Sequence, residues 1–138
     1  MKPPMKPLLI GAILWALGSL PVQAYEAAEL REDCLIAEGM LNRQGNSSPY
    51  DSLRGTRCIS YLAGFADGYG VADYLAGKID LRLGAFCMPK DGNLAPRLVR
   101  AVLAQFDRMP PQVRQGTAEI TAAAFARSFP CAELEMKK

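Results

Sequence analysis

Cys58-Ile59-Ser60-Tyr61-Leu62-Ala63-Gly64-Phe65-Ala66-Asp67-Gly68-Tyr69 is the stretch around which the rest of the chain is organised. Read as a helix, Cys58, Leu62, Phe65, Tyr69 and Ala72 recur at steps of three and four and share one face. Ala63, Gly64, Ala66 and Gly68 lie around that face, and residues so small let a neighbouring backbone come close. The expectation is a buried central helix from about Cys58 to Ala76, stopped at Gly77. The one charge in the quoted stretch, Asp67, must reach solvent or a donor. A polar edge or a helix-end hydrogen bond accounts for it better than a catalytic acid.

Before this stretch, Ala27, Leu30, Cys34, Ala37 and Leu41 mark one face of an amphipathic first helix within Glu26 to Arg43, with Glu29, Arg31, Glu32, Asp33 and Glu38 largely off it. Gln44 to Asp51 gathers turn formers, and Pro49 breaks any helix running through it, so a surface loop is expected as far as Arg57. After the central helix, Lys78 to Leu83 alternates polar and apolar residues. A lone strand would have no partner, so an extended or helical-turn connection leads to Phe86-Cys87-Met88-Pro89. Asn93 can cap a third helix with Leu94, Leu98, Val102 and Phe106 on one face and Val99 and Leu103 beside it; Pro96 is tolerated in its first turn. Pro110-Pro111 ends it. Gly116 or Thr117 opens a fourth helix with Ala118, Ala122, Phe125 and Phe129 on one face and Ile120 and Ala124 extending it, closed by Pro130-Cys131.

The chain begins with Lys2 and Lys6 among prolines, then runs apolar from Leu8 to Leu20 and closes with Val22-Gln23-Ala24. That is the pattern of a secretory signal peptide, too short in its apolar run to anchor in a bilayer. Residues 1–24 are read as that signal, with cleavage after Ala24, and residues 25–138 as a single helical domain. The whole chain is formally +2, but Lys2 and Lys6 are the only charges in the signal. The remainder is therefore neutral, and a nucleic-acid or anionic-membrane role has no electrostatic basis.

The four cysteines, Cys34, Cys58, Cys87 and Cys131, lie after the signal. In an exported chain they read as two disulfides, for which three connectivities are open. If the third and fourth helices form an antiparallel hairpin, the start of one lies beside the end of the other. Cys87 and Cys131 occupy those positions, which leaves Cys34 for Cys58. The fold class expected is all-α, a bundle of about four helices stabilised by two disulfides.

The chain has no histidine. No Ser/His or Cys/His nucleophilic pair can form, and wide cysteine spacing without histidine gives no zinc or haem pattern. No enzyme activity, metal or cofactor is expected. Asp67 with Asp73 is a conceivable carboxylate pair, but helices carry such acids on wet faces routinely. Gly64, Gly68 and Gly70 follow no strand and so form no dinucleotide loop; close helix packing is the better account. Tyr61, Tyr69 and Tyr74 read as half-buried helix residues.

The succession Cys58-x-x-Tyr61-x-x-Gly64-x-x-Asp67-Gly68, then Phe86-Cys87-x-Pro89, then Phe129-Pro130-Cys131, resembles the Rap/Tai family of type VI secretion amidase immunity proteins. The resemblance covers roughly Cys34 to Cys131. It implies a periplasmic immunity protein that binds and occludes a secreted peptidoglycan amidase effector, without catalysis of its own. The matching positions Tyr61, Gly64, Asp67, Gly68, Pro89, Phe129 and Pro130 are scaffold and assign no contact surface. The expected partner is a cognate secreted amidase effector, with a homodimer left open, and with no nucleic acid and no stable membrane anchor. Loops at Asn46 to Arg57 and Met109 to Gln115 are the expected contact surfaces, since loops on a cross-linked scaffold commonly carry recognition. The alternative reading is a periplasmic stress, chaperone-like or structural helical protein without a toxin partner.

Overall fold

A computed structural model describes residues 24–44, 48–90, 92–110 and 115–132. Residues 1–23, on which the signal-peptide reading rests, lie outside them. Four helices follow in order: α1 (Ala27–Leu41), α2 (Pro49–Gly77), α3 (Leu94–Arg108) and α4 (Thr117–Ser128). No strand occurs among the described residues, and Lys78 to Asp80 continue from α2 as turns before the chain becomes irregular.

Helix α2 starts nine residues before the expected position, and its start overturns the reading of Pro49 as a breaker. The Ser48 hydroxyl accepts the Asp51 backbone N–H at 3.0 Å and caps the first turn. Pro49 then stands at the first helical position, where an N–H would have no intrahelical partner and the ring's fixed φ suits the helix. Residues 49–57 are therefore helical and not loop. The helix ends at Gly77 as expected, but the backbone reverses at Asp80, whose φ is 58°. There Leu81 N–H donates to the Ala76 carbonyl at 3.1 Å and Asp80 N–H to Gly77 at 3.3 Å. Arg43, φ 54°, ends α1 likewise, with Gln44 N–H on Gly39 O at 2.9 Å and Arg43 N–H on Met40 O at 3.1 Å. Both are left-handed caps of Schellman type, made without glycine.

The core forms where α1, the first half of α2, α3 and α4 meet. Leu30, Cys34 and Ala37 from α1 pack with Cys58, Leu62 and Ala66 from α2, Leu98, Val99 and Val102 from α3, and Ala124 and Phe125 from α4. On α4 the buried face runs Thr117, Ile120, Thr121, Ala124 and Phe125, which leaves Ala118 outside. Phe125 is the hub of an aromatic cluster, with ring centroids 5.8 Å from Phe65, 5.5 Å from Phe86 and 5.7 Å from Phe129. All three contacts are edge-to-face, the arrangement ring quadrupoles favour.

Both disulfides have the expected connectivity. Cys34–Cys58 joins α1 to α2 and Cys87–Cys131 closes the open end of the α3–α4 hairpin. The chain thus folds as a helical bundle with a covalent staple at each of two seams.

Candidate interaction surface

The side chains with the most chemistry belong to the α1–α2 seam. Asp33 is fully buried, although the sequence pattern placed it with the solvent-facing acids of α1. Its carboxylate accepts from Arg54 Nε at 2.7 Å, from Arg57 Nε at 2.6 Å and from the Tyr25 hydroxyl at 2.7 Å. Burial pushes the carboxyl up, but the hydrogen bonds from Arg57, Tyr25 and Arg54 together outweigh it and hold the group below the ordinary carboxylate range. Burial and the hydrogen bond to Asp33 push the Tyr25 phenol well up, so it stays protonated as a donor. Arg54 also reaches Glu32 at 2.7 Å, and the Arg57 guanidinium lies 4.8 Å over the Tyr25 ring. Every oxygen of Asp33 is occupied by groups of the fold itself. The cluster is a latch between helices.

Other acids are similarly placed for structure. Asp67 is exposed, and Asp73 accepts the Leu83 backbone N–H at 3.0 Å, which ties the connection back onto α2. The two are six residues apart on one helix and so point to different sides. Among the described residues no group of three or more His, Cys, Asp or Glu could hold a metal ion.

The glycines reverse their expected roles. A Cβ on Gly64, Gly68 or Gly70 would meet nothing within 4 Å, so these positions do not mediate close helix packing. Gly55, which the sequence reading left in a loop, does: a Cβ there would lie 3.3 Å from the Ala37 backbone and would clash with the Met40 sulfur. The close approach occurs beside the Cys34–Cys58 bond. Gly64 and Gly68 instead continue a solvent-facing stripe opposite the buried one.

Beyond Ala66 the helix leaves the core, so the expectation of a helix buried along its whole length fails for this half. Val71, Tyr74, Leu75, Ile79, Leu81 and Leu83 are 41 to 74 % exposed and form an apolar apron over the end of α2 and the connection after it. The apron is held in shape by groups beneath it. Tyr69 stacks on Phe86 at 3.8 Å, and its hydroxyl accepts the Ala85 N–H at 2.8 Å. Tyr74 is exposed, with Lys78 Nζ 4.7 Å over its ring. Tyr61 is half-buried, 5.2 Å edge-on to Tyr25.

A concavity of about 960 Å³ lies between the starts of α1 and α4 and is lined by Tyr25, Tyr61, Phe106, Met109, Pro110 and Ile120. It borders the Met109 to Gln115 connection, of which residues 111–114 lie outside the described ones, as do residues 46–47 of the other expected contact loop. Of the scaffold positions, Phe129 is buried, Pro89 is half-buried, and Gly64, Gly68 and Pro130 are exposed.

A family model described as Rap1a immunity proteins matches residues 26–131. The chain belongs to that family. No curated protein and no solved structure matches it. The Rap1a match takes in all four helices, both disulfides and the apron. As a Rap1a protein the chain acts as an immunity protein, whose work is to bind a partner. Exposed apolar surface is therefore the feature that calls for explanation in it. The sequence missed this surface because Val71, Tyr74 and Leu75 sit at helical spacing and Ile79, Leu81 and Leu83 in an alternating run, and neither pattern says which face the rest of the fold leaves uncovered.

Proposed function

We propose that this Rap1a protein is exported to the periplasm and there binds a type VI secretion peptidoglycan amidase, occluding its substrate groove with the apron. The observation that carries the reading is the apron itself. Six large apolar side chains stand in water on a segment fixed by Asp73, Tyr69 and Phe86, and a preformed ridge loses little entropy when it enters a groove. Soluble monomers seldom leave contiguous apolar patches above a few hundred Å² without a partner. The chain after Ala24 is neutral, so recognition rests on shape and apolar burial more than on long-range charge. Export follows from the n-region, apolar run and small residues ahead of Tyr25. Among the described residues no helix is long and apolar enough to cross a membrane. Inhibition is steric and needs no chemistry from the immunity protein.

The test is co-expression with each secreted amidase found encoded in its neighbourhood, delivered to the periplasm. Protection of the cells and a stable complex are expected, and both are expected to vanish in a Leu75→Glu, Ile79→Glu chain that retains its helical spectrum. Absence of protection and of a complex with every neighbouring secreted toxin rejects the function. A complex that survives both substitutions rejects the apron as its surface.

A further inference from the structure

The two disulfides differ in what can reach them. Cys34 and Cys58 have no exposed surface, and around them the Gly55 contact and the Asp33 latch hold α1 to α2. Cys87 is exposed and Cys131 is half-exposed. Their bond lies at the foot of the apron, one residue after Phe86 and two after Phe129. Phe86 and Phe129 are buried against Phe125, and Cys87 N–H donates to the Phe129 carbonyl at 2.8 Å. The helices thus have their own packing at this end, and the sulfur bridge adds a clamp on the chain that leads out of the apron.

We propose that Cys87–Cys131 is a redox-addressed clamp, opened by a dithiol while Cys34–Cys58 stays closed and the helices stay folded. The part of the proposal that concerns partner binding rests on the apron reading above; the order of opening does not. A thiolate of the dithiol attacks Cys87 Sγ and the Cys87–Cys131 bond breaks. Cys131 leaves as a thiolate and takes up a proton. The second thiol of the dithiol then displaces Cys87 from the mixed disulfide, so the protein gains two thiols and the dithiol becomes a disulfide. Exchange of this kind requires access to sulfur along the line of the bond. The Cys34–Cys58 pair has that access only when α1 parts from α2.

Treatment of the oxidised chain, residues 25–138, with a dithiothreitol series, quenching with N-ethylmaleimide and peptide mapping tests it. Labelling of Cys87 and Cys131 is expected roughly tenfold or more ahead of Cys34 and Cys58, with the helical spectrum retained. Amide exchange is expected to rise over residues 86–90 and 129–132 and to stay unchanged over 27–41. Labelling of all four together, labelling only with loss of helix, or unchanged exchange at the foot overturns the proposal. A Cys87→Ala, Cys131→Ala chain should fold and reproduce the reduced exchange pattern; failure to fold, or an oxidised-like pattern, overturns it as well. With a partner amidase in hand, the selectively reduced chain should bind several-fold more weakly. Equal affinity removes the control of binding and leaves the order of opening standing.

Discussion

The two halves of α2 are one continuous helix in opposite circumstances. From Pro49 to Ala66 it is capped by Ser48, latched through Arg54 and Arg57 to Asp33, pressed at Gly55 against Ala37 and bonded at Cys58 to Cys34. From Asp67 onward it carries large apolar side chains into solvent, and the connection after it hangs from Tyr69 and Asp73. An amphipathic helix ordinarily draws its stability from packing of its apolar face. Here the proximal half supplies that packing, and covalent continuity carries the distal half. Concentrated stabilisation at one end is what allows an uncovered surface at the other.

Four variants sharpen or break that contrast. Removal of the buried bridge by Cys34→Ser with Cys58→Ser should lower stability by ~3–4 kcal/mol, read from the denaturation midpoint. A loss well below that range would mean that the bond is not what anchors α2 at the α1–α2 seam. Asp33→Asn should cost ~2–4 kcal/mol, because two guanidinium groups lose the charge they were placed around. The folded-state pKa of Asp33 lies below its unfolded value, so its contribution is fully present above the ordinary carboxylate range and is lost as pH falls through the depressed value. Urea unfolding of the parent should therefore weaken steeply only below about pH 4, and the Asn variant should show a shallower acid limb.

Glycine substitutions compare the halves with the same chemistry. Gly55→Ala should destabilise by ~1–3 kcal/mol, since the new methyl meets the Ala37 backbone in a seam fixed by a disulfide. Gly68→Ala, with open space around it, should stabilise by ~0.5–1 kcal/mol through helix propensity alone. Thermal midpoints that move in the same direction for both would erase the distinction between the halves.

Helix number and order were legible from local periodicity and from Pro and Gly punctuation, and the disulfide pairing from the α3–α4 hairpin that they imply. Besides the apron, three features were not. Pro49 has two opposite meanings, breaker inside a helix and first residue of one, and only the Ser48 cap decides between them. A glycine in a helical run signals equally well a close contact and a bare surface, so Gly64 and Gly68 were assigned the role that Gly55 fills. Asp33 flanks the apolar stripe of α1, and its partners Arg54 and Arg57 lay in a segment read as loop. Their spacing of three residues, one helical turn, was the available signal, and it had value only once that segment was known to be helix.

Because none of the apron side chains holds the bundle together, replacing them has little energetic consequence for the monomer. A lineage carrying this scaffold can rewrite the six apron side chains to follow a changing adversary and still fold. Recognition and foldability are thereby placed under separate genetic control.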